Sequence, residues 1–174
     1  MKITDILSGG DLRSKGRSED IVRSALIDKK IFLETLDCLF LPDLIIQTRA
    51  ADAIEKITKE RPEWMADVKK KVLPEWRQFE GTRILQMHIA ILIGRMSFTS
   101  SQLEKVLPFL EDWAFNDRYT FTKVAAMQSY CDQAVRCPTV LPNAKRLLVR
   151  WMKNGSPAMV SRGKRLLRAV SEKL

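Results

Sequence analysis

Apolar side chains recur along this chain at intervals of three and four residues. Leu103, Val106, Leu107, Leu110 and Trp113 follow the rhythm of one helix face, and so do Leu141, Ala144, Leu147, Leu148 and Trp151. Met65, Val68, Val72, Trp76 and Phe79 form a third such stripe. Between these lie further stripes, Ile46, Ala50, Ala53, Ile54 and Ile57, then Met159, Gly163, Leu166, Leu167 and Val170. No stretch alternates with the period of two that a half-buried strand requires. The pattern predicts an all-α chain.

Breaking residues fall between the stripes. Leu41-Pro42-Asp43, Glu80-Gly81, Asn116-Asp117 and Asn154-Gly155-Ser156-Pro157 separate the two helices of a pair. Arg61-Pro62, Thr99-Ser100 and Cys137-Pro138-Thr139 separate one pair from the next. Proline stops a preceding helix and suits the first turn of the following one. Thr99 or Ser100, with Gln102 or Glu104 beyond, has the spacing of a capping box, and Ser156 before Pro157 reads as an N-cap. Connections this short force consecutive helices to run antiparallel.

The pairs are copies of one unit. Trp76, Trp113 and Trp151 are 37 and 38 residues apart, and another step of 37 back from Trp76 reaches the apolar Leu39. Arg49, Gln86, Lys123 and Arg162 form a second series, with steps of 37, 37 and 39. A period of this size marks a repeat architecture in which each pair hides its apolar face only against its neighbours. Ala50, Ala51, Ala53, Ala90, Ala125, Ala126 and Gly163 allow close approach of the packed helices.

In this period, in its helix pairs and in the polar pattern of its second helices, the chain resembles the HEAT-repeat (armadillo-type) family over roughly residues 29 to 174. Phrases such as Trp113-Ala114-Phe115-Asn116-Asp117-Arg118 and Gly155-Ser156-Pro157-Ala158-Met159 are similar to those of short bacterial HEAT-like proteins. The resemblance implies a right-handed α-α superhelix, an α-solenoid of about four HEAT-like helix pairs plus an N-terminal helix. Domain boundaries follow as a flexible N-terminal arm over 1–17, containing the polar stretch Ser8 to Gly16, and a single solenoid domain over 18–174. HEAT units place an Asp at the turn within a pair and an Arg or Lys six residues later. Asp43 with Arg49 and Asp117 with Lys123 fit; the second unit has Glu80 and Gln86, and the fourth keeps Arg162 but has Ser156 in place of the acid. The resemblance implies that Asp43, Arg49, Asp117, Lys123 and Arg162 form a structural ladder between units, imperfect in the second and fourth.

Charge changes the picture at one end only. The net charge is +9, yet residues 145–174 hold nine basic side chains against the single acid Glu172, a net +8. The first 144 residues hold 21 basic and 20 acidic side chains, a net +1. Lys145, Arg146, Arg150, Lys153, Arg162, Lys164, Arg165 and Arg168 are therefore the candidate binding residues, a patch for an anionic partner. A capping unit needs a polar outer face, but it does not need one sign of charge.

Other candidate chemistry is thin. Nucleotide and metal motifs of the P-loop, dinucleotide, HExxH and paired Cys-x-x-Cys kinds are missing. His88, the only histidine, lies in an apolar helical stretch with no identifiable catalytic partner. Cys38, Cys131 and Cys137 make an odd set without ligand spacing, which fits buried thiols in a reducing compartment. Lys69-Lys70-Lys71 reads as a solvated face. HEAT-like DNA glycosylases place a Trp and an Asp four residues apart at a cleft, and Trp113, Asp117, Arg150 and Trp151 invite that comparison. Against it, Trp113 belongs to the periodic core series, and Asp117 occupies the turn position of its unit.

The N-terminus lacks a basic region followed by an apolar run, which predicts no signal peptide. The longest nearly apolar run, Ile84 to Gly94, is shorter than the roughly 20 residues a membrane-spanning helix needs. The expectation is a cytoplasmic, non-catalytic scaffold with no cofactor and no metal. It would recognise a macromolecule, foremost a protein, along a concave row of second helices. The alternative is nucleic-acid binding through the C-terminal cations, with base excision a remote third reading.

Overall fold

The computed structural model describes residues 2–9 and 16–173. Among them there are helices and turns but no strand. The α-helices run α1 Ile3–Leu7, α2 Ser18–Ile27, α3 Lys29–Asp37, α4 Leu44–Glu60 and α5 Met65–Val72. They continue with α6 Arg83–Arg95, α7 Ser100–Asn116, α8 Thr120–Arg136, α9 Leu141–Lys153 and α10 Pro157–Ser171. From α3 onward, every break between helices falls where Pro, Gly, Asn, Asp, Ser or Thr punctuates the sequence.

The chain divides into two compact units, Met1–Leu92 and Ile93–Leu174, with the boundary inside α6. Of the expected N-terminal arm, residues 10–15 lie outside the described residues. Before them, α1 is a packed element: Leu7 is wholly buried, and the helix rests on α2, α3 and α4.

In the first unit α4 packs on both α2 and α3. Asp28 caps α3 by accepting from Lys30 N (2.9 Å), and Asp43 caps α4 by accepting from Ile45 N (2.8 Å) and Ile46 N (3.1 Å). The stripe predicted over 65–79 is helical throughout but not as one α-helix. After Val72 it tightens into a 3-10 segment over Leu73–Phe79. Pro74 is the cause, because it removes one backbone donor and its ring crowds the carbonyl a turn earlier. The change of pitch rotates the stripe, so Phe79 stays buried while Trp76 is only half-buried. Trp76 is therefore not the full core counterpart of Trp113 and Trp151, each 2% exposed. Gly81 makes the following turn at φ 75°, a conformation that favours glycine, and donates its N–H to Gln86 Oε1 (2.8 Å).

The second unit stacks two pairs: α7 on α8, α9 on α10, and α8 on α10. Thr99 and Gln102 form a full capping box at the start of α7, and Ser156 caps α10 with Pro157 in its first turn. Trp151 is the centre of the aromatic core, with Tyr130 edge-on at 5.6 Å and Phe115 at 5.7 Å. The residue end of α6 is held by α8. Gln133 Nε2 lies 2.9–3.0 Å from the carbonyls of Ile93, Gly94 and Met96, and Arg136 Nη1 donates to those of Gly94 (2.7 Å) and Met96 (3.1 Å). A helix leaves its last carbonyls short of backbone donors, and here, among the described residues, only that of Ile93 is seen to accept one as well, from Met96 N (3.2 Å).

Candidate functional site

Of the residues expected to form a ladder, Asp43, Arg49, Asp117 and Lys123 bond backbone groups, and Arg162 bonds a side chain. Asp43 caps α4, and Asp117 accepts from Tyr119 N (2.6 Å) at the entrance to α8. Arg49, 4% exposed, donates to the carbonyls of Leu7 (2.8 Å) and Ser8 (2.9 Å) at the end of α1. Lys123 Nζ donates to Phe115 O (2.8 Å), near the end of α7. Arg162 donates to the Gln128 side chain (2.8 Å). The physical logic is that of helix ends: carboxylates serve unpaired N–H groups, and cations serve unpaired C=O groups.

The eight candidate cations lie on two helices of the second unit. On α9, Lys145, Arg146, Arg150 and Lys153 are exposed, opposite the buried stripe Leu141, Ala144, Leu147, Leu148 and Trp151. Arg146 is steadied by Asn143 Oδ1, and Arg150 lies over the Phe115 ring at 4.9 Å. On α10, Lys164, Arg165 and Arg168 are exposed and Arg162 is half-buried, around the buried stripe Met159, Gly163, Leu166 and Val170. Among the described residues none of the eight makes an ion pair with a carboxylate. No carboxylate ion pair neutralises them, although the Asp132 charge acts on Arg162.

Arg162 and Arg165 differ from the rest because they border a depression between α8 and α10. It has a volume of about 390 Å³ and is lined by Val124, Ala158, Ser161, Arg162 and Arg165. It lies where α8 packs on α10. A relay fixes one wall: Arg162 donates to Gln128 Oε1, and Gln128 Nε2 donates to Asp132 Oδ1 (2.8 Å). Burial pushes the Asp132 carboxyl above its ordinary range, against the Gln128 hydrogen bond and the charges of Arg136, Arg162 and Arg95. Burial, followed by the neighbouring Arg165 charge, pulls Arg162 below its ordinary value. The two guanidiniums thus repel each other at the edge of a partly dry cleft, which an incoming anion would relieve.

Sequence reasoning did not find Phe121, Val124, Gln128 and Ser161. Phe121 is 61% exposed and stands one turn before Val124 on the solvent stripe of α8. Hydrophobicity alone does not reveal it: α8 buries Thr122, Ser129 and Gln133 beside Met127 and Tyr130, yet leaves Phe121 exposed.

The remaining candidates are held structurally. His88 is 8% exposed in the first unit, with Nδ1 2.7 Å from Glu55 Oε2. Trp113 is buried against Phe109 at 5.7 Å, Trp151 is buried in its aromatic cluster, and Asp117 is occupied as a cap. Burial, with a smaller contribution from Asp132, pushes the Cys131 thiol up to about 12. Cys38 is buried and likewise raised, while Cys137 is half-exposed. Lys70 and Lys71 are exposed, and Lys71 pairs with Asp37. Among the described residues no cluster of three His, Cys, Asp or Glu gathers with the spacing of a metal site. No helix there is long and apolar enough to cross a membrane. Compared with known proteins, the chain matches no family model, no curated protein and no solved structure.

Proposed function

We propose that this chain is a non-catalytic recognition module, a right-handed α-solenoid of HEAT-like helix pairs that docks a partner protein along its row of second helices. The carrying observation is the cleft between the second helices α8 and α10, which joins apolar Val124 and Ala158 to two cations without carboxylate partners. The solenoid reading draws support from a repeated packing pattern. In three of the pairs the second helix packs on its own first helix, as α4 on α3, α8 on α7 and α10 on α9. It also packs on the second helix before it, as α10 on α8, with α2 standing in that place for α4. A preformed, curved surface of this kind recognises by shape and charge without moving.

Cross-linking in native lysate, with mass-spectrometric mapping of the linked residues, tests the reading. The expected result is a reproducible partner linked to side chains on the exposed stripes of α8 and α10. Absence of any specific partner across several growth conditions would remove the proposal.

A second reading, nucleic-acid binding by phosphate contacts, is favoured by the exposed, unneutralised cations of α9 and α10. Phosphate-driven affinity must fall steeply with salt. Replacing Arg162, Arg165 and Arg168 with Glu should abolish it. Negligible binding of duplex and single-stranded oligonucleotides at low salt would exclude this alternative.

A further inference from the structure

We propose that the α8–α10 cleft takes an acidic peptide segment, with carboxylates on Arg162 and Arg165 and an apolar side chain on Val124 and Phe121. This deepens the protein-docking reading above and rests on it.

Charge complementarity chooses the occupant. The second unit contains 14 basic and six acidic residues, a net +8, whereas the first is near neutral at +1. Within that field two cations border this depression. Arg162 is preset by Gln128, which in turn is fixed by Asp132, so its guanidinium needs little ordering to bind. Arg165 stands one turn further along α10, on the same side of the helix. Planar forks at this spacing suit successive carboxylates of an extended or helical segment. Ser161 adds a hydroxyl at the rim.

The apolar half argues against nucleic acid. Val124 and Ala158 offer aliphatic surface, and Phe121 a largely exposed ring. A single ring is no stacking track for successive bases. The α9 cations project from another helix and do not line the cleft. A peptide with mixed acidic and leucine-like residues meets both halves of the surface. A phosphate chain meets only one.

Fluorescence anisotropy on the full chain provides the test. The probes are a labelled peptide of Glu, Asp and Leu, its counterpart with Gln and Asn in place of the acids, and a labelled single-stranded DNA of similar length. The acidic peptide should bind, and its amide counterpart should bind at least about tenfold more weakly, the size of one charge-assisted contact. Arg165→Gln, at an exposed position, should weaken the acidic peptide about tenfold, and Arg162→Gln/Arg165→Gln should eliminate binding. Phe121→Ser should weaken it with charge unchanged. The control Arg146→Gln/Lys153→Gln on α9 should leave affinity within about twofold.

Equal binding of the two peptides would overturn the proposal, as would tighter binding of the DNA to the cleft. Persistence of peptide binding in Arg165→Gln and in the double variant, with loss in the α9 control, would overturn it too. If the cross-linked partner is recovered while these peptide results fail, protein docking stands and the acidic-peptide assignment falls. If no partner is recovered, the docking reading itself falls.

Discussion

A single missing Cβ sets the spacing between α6 and α8. A Cβ at Gly94 would lie 2.5 Å from Ser129 Oγ and 2.9 Å from Ser129 Cα, so the backbone itself stands in the way. Gly94→Ala would gain about 1 kcal/mol of helix propensity but would force the helices apart, at about 1–3 kcal/mol. The expected net effect is destabilisation, read as a lower urea midpoint. An unchanged or higher midpoint would show that the contact relaxes freely. Cys131 makes a second residue-scale test. Its thiol is held up near 12, against an ordinary 9.0, so the folded state stays protonated where the unfolded chain ionises. Stability from this group is complete below about pH 9 and is lost as pH rises from there toward 12. Tyr130, raised by burial, acts in the same direction. Cys131→Ala should flatten the decline in melting temperature across this alkaline window. At neutral pH a thiol reagent should label Cys137 first, leaving Cys131 and Cys38 unmodified until unfolding.

Elements here are closed by side chains borrowed from a neighbour. Gln133 and Arg136 share the carbonyls of Gly94 and Met96, while Ile93 O receives Gln133. Gln133→Leu should cost about 1–3 kcal/mol, the penalty of buried acceptors left short. Arg136→Leu alone should cost less, since Gln133 still serves both shared carbonyls. The double variant should lose more than the two singles combined, because each donor covers for the other. Strict additivity in denaturant unfolding would contradict that. Much at this scale was legible beforehand: the positions of Asp43, Thr99, Ser156 and Pro157 mark helix starts through local chemistry that a sequence displays directly. Pro74 was equally visible, yet its effect on Trp76 was not. Periodicity assumes a constant pitch, and the 3-10 segment changes it. The α8–α10 cleft was hidden for another reason. Its cations were conspicuous, but pairing Arg162 and Arg165 with Val124 requires knowing that α8 and α10 pack together. Phe121 would be buried by any ranking on hydrophobicity alone, yet it lies exposed while Gln133 and Ser129 of the same helix are buried.

At the scale of the molecule, the charge belongs to one unit and the apolar groove residues belong to the same unit. Any polyanion should therefore associate with the second unit to some degree. The salt response distinguishes adsorption from recognition. Duplex oligonucleotide affinity should drop by orders of magnitude between about 50 mM and about 200 mM salt, because only counterion release drives it. Acidic-peptide affinity should fall far less, since apolar burial on Val124 and Phe121 is not screened. Parallel salt slopes for the two ligands, measured by anisotropy, would mean that the cleft contributes only charge.

The grip of Arg49 on the carbonyls of Leu7 and Ser8 ties the chain's beginning to the heart of its first unit. Trimming away the opening nine residues would take two acceptors from a guanidinium with scant access to water and uncover the seat vacated by Leu7. A shortened protein of this kind should melt earlier than the full chain, and Arg49→Met should restore part of the loss. The leading segment thus behaves as a plug, and an affinity tag would sit more safely at the opposite terminus.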